Sequence, residues 1–328
     1  MTSSGLPFDV HAEVLRARTR LEGEVAVTPT VPAPWLSERT GAEVVFKLEN
    51  AQVTGSFKAR GAANCILAMA DQARERGVVT ASSGNHGLGV ARAAARCGAK
   101  ATVFVPLTTP DAKVAAVSAL GAEVEKFGED CVDTESHARS LADQTGRVYV
   151  SPYNDERVLA GQGTISAELF EQCPDVERVY VAVGGGGLIG GMAGYAATAH
   201  PDVQWIGCSP TQSPAMAECV RRGAIVDVPC GETLSDSTAG GVEPGAVTYE
   251  ICRQLVHRWI DVDERAIQDA VLDCLSLQHQ LVEGAAGVAV AACLADPDVR
   301  GRKAAVILCG GNLPLPKLRA ILAATEGD

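Results

Sequence analysis

A lysine acts as a nucleophile or base only if its amine sheds a proton near neutral pH, which takes desolvation or a neighbouring positive charge. Lys58 stands in the run Thr54-Gly55-Ser56-Phe57-Lys58-Ala59-Arg60-Gly61-Ala62. The Thr54-Gly55-Ser56 stretch reads as a turn or helix start with Ser56 as its cap, so Lys58 falls in the first helical turn, where the dipole helps lower its pKa. A lone lysine after a turn is ordinarily a surface residue, but three further segments change that reading. Gly184-Gly185-Gly186-Gly187-Leu188 follows a strand-like stretch and opens a helix. Its successive N–H groups can form a nest for a phosphate, and glycine permits close approach to the backbone. A tight helix–sheet crossing would use the same glycines. Ser82-Ser83-Gly84-Asn85-His86-Gly87 is a second strand-to-helix turn. Its N–H groups can hold a carboxylate, or Asn85 and His86 simply cap the helix. Cys309 ends a third strand before Gly310-Gly311-Asn312 and is either a weak neutral donor or a small core residue.

Other phosphate motifs fit less well. The start Gly184-x-Gly186 suits a dinucleotide fingerprint, which wants an acidic residue at the end of the second strand, about 20 residues on. That strand ends near Cys208-Ser209 with no Asp or Glu there, and the G-K-[ST] ending of a P-loop is missing.

The four segments, in this order, resemble the fold-type II pyridoxal phosphate (PLP) enzymes, in the branch of serine/threonine dehydratases and serine racemase. The resemblance runs from about Thr28 to Leu318. It implies that Lys58, with Phe57 beside it, forms the Schiff base with PLP, and that Gly184, Gly185, Gly186, Gly187 and Leu188 hold the phosphate. It implies Asn85 at the phenolic oxygen of the ring, Glu283 near the ring in Glu283-Gly284-Ala285-Ala286-Gly287, and Cys309 against the pyridine nitrogen. A neutral thiol there is a weaker partner than a carboxylate, which favours prompt loss of a β-leaving group over a stabilised carbanion. Ser82, Ser83, Gly84, Asn85 and His86 would surround the substrate. Serine racemase-like sequences carry serine where Ser83 stands, and many threonine dehydratases carry alanine. The resemblance thus makes Ser83 a second catalytic group, on the face of Cα opposite Lys58.

Three departures stand beside these matches. Ser151-Pro152-Tyr153-Asn154-Asp155 replaces a common His-Pro-Phe-Asp-Asp, and Thr233-Leu234-Ser235-Asp236-Ser237 replaces T-I-A-D-G. Both border the cleft in the family and leave room for an unusual β-hydroxy amino acid. Relatives that bind a divalent cation use a glutamate before a proline and an aspartate farther on. Here Ser209 precedes Pro210 and Ala215 falls at the aspartate position. Hard cations want carboxylate oxygens, so that metal site is expected to be absent or displaced. The chain ends soon after a helix over 315–324, so a C-terminal regulatory domain is not expected.

The function these readings favour is a PLP-dependent ammonia-lyase (dehydratase) that turns L-threonine or L-serine into a 2-oxo acid and ammonia. A racemase of serine or a related amino acid is the alternative. A β-replacement synthase shares the fold, and a non-catalytic amino-acid sensor would keep the scaffold without the chemistry.

The elements that position these residues alternate between strand and helix. Strand-like runs cover 78–82, 101–105, 122–124, 179–183, 203–208 and 304–308. Helical patterns follow, closed by Gly98 and Gly121 or running to Ala199. This rhythm argues for an α/β chain with parallel sheets covered by helices. The resemblance implies two open, mainly parallel sheets in the tryptophan synthase β-like fold. It also implies a small substrate domain, residues 48–151, inserted in a large PLP domain formed by 1–47 and 152–328. The length of 328 residues suits one large or two medium domains. The net charge of −12 argues against nucleic acid or an anionic membrane as partner, so an anionic ligand needs a local positive pocket. No signal peptide or membrane span is visible. Eleven cysteines without a C-x-x-C pair fit a reducing cytoplasm better than a disulfide framework. The resemblance suggests a homodimer or homotetramer.

Overall fold

The computed structural model describes residues 5–129 and 131–323. Residues 1–4, where no signal peptide is expected, and Ala324, expected to end the last helix, lie outside the described residues. The strands are β1 Thr30–Pro32, β2 Glu43–Lys47, β3 Val78–Ala81, β4 Ala101–Val105, β5 Glu123–Lys126, β6 Val148–Tyr149, β7 Arg178–Ala182, β8 Gln204–Pro210, β9 Arg258–Val262 and β10 Lys303–Ile307. The helices of the first half are α1 Val10–Leu21, α2 Pro34–Thr40, α3 Lys58–Ala68, α4 Ala70–Arg76, α5 Asn85–Cys97, α6 Asp111–Ser118 and α7 Cys131–Thr145. Those of the second half are α8 Glu156–Gln172, α9 Gly187–Ala199, α10 Ala215–Arg222, α11 Val247–Leu255, α12 Glu264–Leu277, α13 Gly284–Ala295 and α14 Leu315–Ala323.

The strands form two open sheets, in the orders β1-β2-β10-β7-β8-β9 and β5-β4-β3-β6. The short β1 pairs antiparallel with β2. The other strand pairs are parallel. Parallel strands need crossovers, and helices supply them on both faces. The central strands accordingly read as unbroken apolar runs. Ala101-Thr102-Val103-Phe104-Val105 is buried throughout, and so is all of β10 beyond Lys303. Two large apolar cores result, one around each sheet. No described helix is long and apolar enough to cross a membrane.

Helix α8 is the beam between the two sheets. On one side it meets α9 so closely that a Cβ on Gly191 would lie 2.1 Å from the Leu159 carbonyl oxygen. On the other it meets α3, where a Cβ on Gly161 would lie 2.6 Å from the Arg60 carbonyl oxygen. Only glycine permits either approach. The carboxyl ends of β3, β7 and β10 run directly into Ser82, Val183-Gly184 and Leu308-Cys309. Ligands of open parallel sheets gather at such ends.

The sequence-expected strands and helices fall within a few residues of the observed ones. Strands β1, β2, β6 and β9 were not anticipated; β1 and β6 are only three and two residues long, and the apolar run of β2 is the short Val44-Val45-Phe46. The cysteines whose side chains are described are all free, and all but Cys230 are buried.

Candidate active site

Lys58 is the first residue of α3, as expected, but Ser56 is not its cap. Phe57 already has helical angles and occupies the cap position without a side-chain hydrogen bond. Ser56 is instead recruited into an antiparallel bridge with Gly310, and its buried hydroxyl has no partner among the described residues. The Phe57 N–H donates to the Cys309 carbonyl at 3.0 Å. The start of α3 is therefore pinned to the exit of β10.

The Lys58 amine donates to the Pro152 carbonyl at 2.7 Å and lies 5.1 Å from the Phe57 ring centroid. Burial lowers its pKa to about 8, against a smaller upward pull from Cys309 and Glu283. Desolvation, and not a neighbouring cation, thus brings the amine toward neutrality. Cys309 is 2% exposed, and burial pushes its thiol pKa well up, so it stays a neutral thiol.

Glu283 precedes α13 and is buried. Its carboxylate accepts both contacts of the Asn85 amide, at 3.0 and 2.9 Å, and the Ser237 hydroxyl at 2.8 Å. Burial raises its pKa, opposed by the bonds from Asn85 and Ser237. Asn312 completes the cluster by donating to Asn85 Oδ1 at 2.7 Å and to the Thr54 carbonyl at 2.8 Å. A Cβ on Gly310 would lie 2.8 Å from the Glu283 carboxyl carbon, so a glycine is needed there. Asn85 is therefore a bridge between β10's exit and α13, and it does not cap its own helix.

The turn before α5 presents Ser83, Asn85 and His86 N–H groups without acceptors among the described residues, while Gly84 N–H donates to Ser82 Oγ at 3.2 Å. The Ser83 hydroxyl, partly exposed, likewise has no hydrogen-bond partner among the described residues. His86 Nε2 donates to the Val150 carbonyl at 3.0 Å. Burial, and then the Lys58 charge, drive its pKa down to about 3. His86 is a neutral positioning group at ordinary pH, not an acid.

At the glycine loop, Val183 N–H donates to the Cys208 carbonyl at 2.8 Å, which ends the strand pairing. From Gly184 to Leu188 no N–H meets an acceptor among the described residues. Gly186 turns the chain with φ of +83°. The Tyr153 ring lies on this loop, since a Cβ on Gly185 would fall 2.5 Å from the ring. The Tyr153 hydroxyl accepts the Glu243 N–H at 2.9 Å, and Arg139 of α7 pairs with the Glu243 carboxylate at 2.5 Å. Ser151 holds the N–H groups of Tyr153 and Asn154, at 3.4 and 3.0 Å, and Asp155 caps α8. The two cleft departures noted in the sequence therefore line this site, Tyr153 at the glycine loop and Ser237 at Glu283.

Ser209 and Ala215 are buried, and among the described residues no group of three His, Cys, Asp or Glu side chains comes together as a metal site. The sequence pattern singled out neither the Pro152 carbonyl nor Asn312's bond to Asn85. A backbone carbonyl leaves no mark in residue types, and Asn312 was read only as part of a glycine-rich turn.

The site fits pyridoxal phosphate. It combines a half-buried amine shifted toward neutrality, a helix N-terminus with free N–H groups for a phosphate, and a neutral thiol. The sequence comparisons agree with this geometry. A family model described as "Pyridoxal-phosphate dependent enzyme" matches residues 21–310. An L-threonine ammonia-lyase of Thermotoga maritima is 40% identical over 310 residues, covering 94% of this chain and 77% of the relative. A catabolic L-threonine dehydratase of Escherichia coli is 36% identical over 312 residues, covering 94% of each. The solved structure of maize serine racemase superposes with a TM-score of 0.89 at 31% identity, covering 97% of this chain and 98% of that one.

Proposed function

The chain belongs to the pyridoxal-phosphate dependent enzyme family, and from that premise we propose that it is an ammonia-lyase converting a β-hydroxy amino acid, L-threonine or L-serine, to a 2-oxo acid and ammonia. The observation that carries the proposal is the half-buried Lys58 amine, held on the Pro152 carbonyl at 2.7 Å, with its pKa lowered to about 8. Bound PLP supplies an electron sink for the bond electrons at the substrate's Cα. Lys58, once displaced by the substrate amine, is the base that takes the Cα proton. A pKa lowered by desolvation suits an amine that must both accept and return a proton. The N–H groups from Gly184 to Leu188 would hold the phosphate, Phe57 would flank the ring, and Asn85 and Glu283 would fix its edge. Cys309 would meet the pyridine nitrogen as a neutral thiol, which gives weak electron withdrawal and favours departure of the β-hydroxyl. Ser82, Ser83, Gly84, Asn85 and His86 would receive the substrate carboxylate. His86, being neutral, adds no charge of its own.

A racemase is the second reading, favoured by the partly exposed Ser83 hydroxyl, which no described residue engages. The division into a domain over 48–151 inserted in a larger one, a dimeric or tetrameric assembly and a cytoplasmic setting belong to the same proposal. The matching sheets and the free cysteines support the first and last of these.

The test is 2-oxo acid release by PLP-loaded protein given L-threonine and L-serine separately, with chiral analysis of the remaining amino acid. Release by the wild type and none by Lys58→Ala is the expected outcome. Turnover that survives in Lys58→Ala would refute the mechanism. Ser83→Ala should abolish any racemisation while sparing much of the elimination, and equal effects on both would remove Ser83 from catalysis.

A further inference from the structure

Two residues beyond Lys58, Arg60 is fully buried. Its Nε and Nη2 donate to the two oxygens of Glu49, each at 2.8 Å. Its Nη1 and Nη2 donate to the two oxygens of Glu168 at 2.6 and 2.8 Å, and Nη1 reaches Thr164 Oγ1 at 3.2 Å. Glu168 also accepts the Lys47 amine at 2.8 Å. Two cations and two carboxylates thus face one another away from water. Glu49 follows β2 of the six-stranded sheet, while Glu168 belongs to α8.

Stability alone does not explain this arrangement. Buried ion clusters can often be replaced by packed apolar side chains without loss, and a cation in the first turn of a helix opposes the helix dipole. Nor does the cluster tune Lys58 by charge. The groups that act on the Lys58 amine are Cys309 and Glu283, and the charge of Arg60 is answered by its own two carboxylates. What the cluster fixes is placement. A planar guanidinium held by two bidentate partners admits one orientation. At the next residue α3 touches α8 backbone to backbone, and Gly61 N–H donates to Gln162 Oε1 at 3.2 Å. Lys58 precedes Arg60 by about half a helical turn, so a rotation or slide of α3 would carry the Lys58 amine away from the Pro152 carbonyl.

We propose that Arg60 is a positioning residue for Lys58, setting the phase and depth of the first turn of α3 through Glu49 and Glu168 so that the lysine amine meets the cofactor's aldehyde. The proposal rests on the reading of Lys58 as the residue that carries PLP. The experiment mixes PLP-free protein with PLP and follows the absorbance change of attachment to lysine, with the thermal midpoint recorded alongside. Arg60→Lys keeps the charge and loses the fork. Lys47→Met breaks the far end of the same cluster without touching α3. Both variants lose thermal stability, but only Arg60→Lys slows attachment, by about tenfold, the scale expected of a misplacement below 1 Å. Should Arg60→Lys fail to fold, Glu49→Asp serves, since it keeps every charge and shortens one arm of the clamp; slowed attachment is again expected. Wild-type attachment rates in the folded variant, or equal slowing in Lys47→Met, would overturn the assignment of Arg60. A wild-type protein that takes up PLP without forming the lysine absorbance would instead refute the reading of Lys58.

Discussion

Two buried carboxylate clusters flank Lys58, and they are built differently. In one, Glu168 and Glu49 face Arg60 and Lys47, charge for charge. Burial alone would raise the Glu168 pKa, yet the bonds and charges of Arg60 and Lys47 hold it below the usual carboxylate range. In the other, Glu283 meets neutral donors, the Asn85 amide, the Ser237 hydroxyl and the Asn312 N–H, and burial raises its pKa despite them. The first cluster is electrically closed and acts on the site through geometry. The second is open, and its charge reaches Lys58. A buried carboxylate matched by cations works as a strut, whereas one matched by dipoles remains available to the chemistry.

The contrast can be broken most sharply by deleting one member from each cluster. Arg60→Met leaves Glu49 and Glu168 without their guanidinium, a loss of about 3–5 kcal/mol expected for breaking a buried pair. Glu283→Gln should cost far less stability, because it removes a desolvated charge that has no cation. Its turnover should nevertheless fall, since the acceptor that orders Asn85 and Ser237 changes character. Urea unfolding of both variants at neutral pH decides this, and equal losses would erase the distinction.

The pH dependence should carry opposite signs. Glu168, with a lowered folded pKa, stabilises the fold above its unfolded value near 4.5 and loses that contribution as pH falls through the folded value. Glu283, with a raised folded pKa, favours folding below about 4.5 and loses that contribution as pH rises through the folded value. Wild type should therefore lose stability relative to Glu283→Gln as pH rises from about 4.5. A difference between the two that does not vary with pH would contradict the burial of that charge.

Ser237→Gly probes the same cluster with the smallest change. It removes one hydroxyl from Glu283, for about 1 kcal/mol or less of stability, and raises the Glu283 pKa further. The stability–pH curve should move to higher pH with little change in midpoint temperature. An unchanged curve would show that the Ser237 bond does not matter in solution.

Much of this site was legible in the chain because glycine runs, a lysine after a turn and strand-ending residues leave marks in residue type and spacing. Asn85 meets Glu283, Cys309 and Glu283 both act on the Lys58 amine, and Gly185 and Gly187 lie against Tyr153. What stayed hidden depends on tertiary contact. Ser56 looked like a cap because its type suits one, yet pairing with Gly310 claimed its backbone. Nothing in the sequence marked Arg60, since its partners Glu49 and Glu168 lie 11 and 108 residues away. The departure at Ser237 was visible, but its bond to Glu283, 46 residues on, was not.

The most direct test of the account is peptide mass mapping after borohydride reduction of the PLP-loaded protein. The expected result is a pyridoxyl adduct on the peptide that carries Lys58, absent from Lys58→Ala. An adduct on a different lysine, or undiminished labelling of Lys58→Ala, would contradict the central role given to this amine.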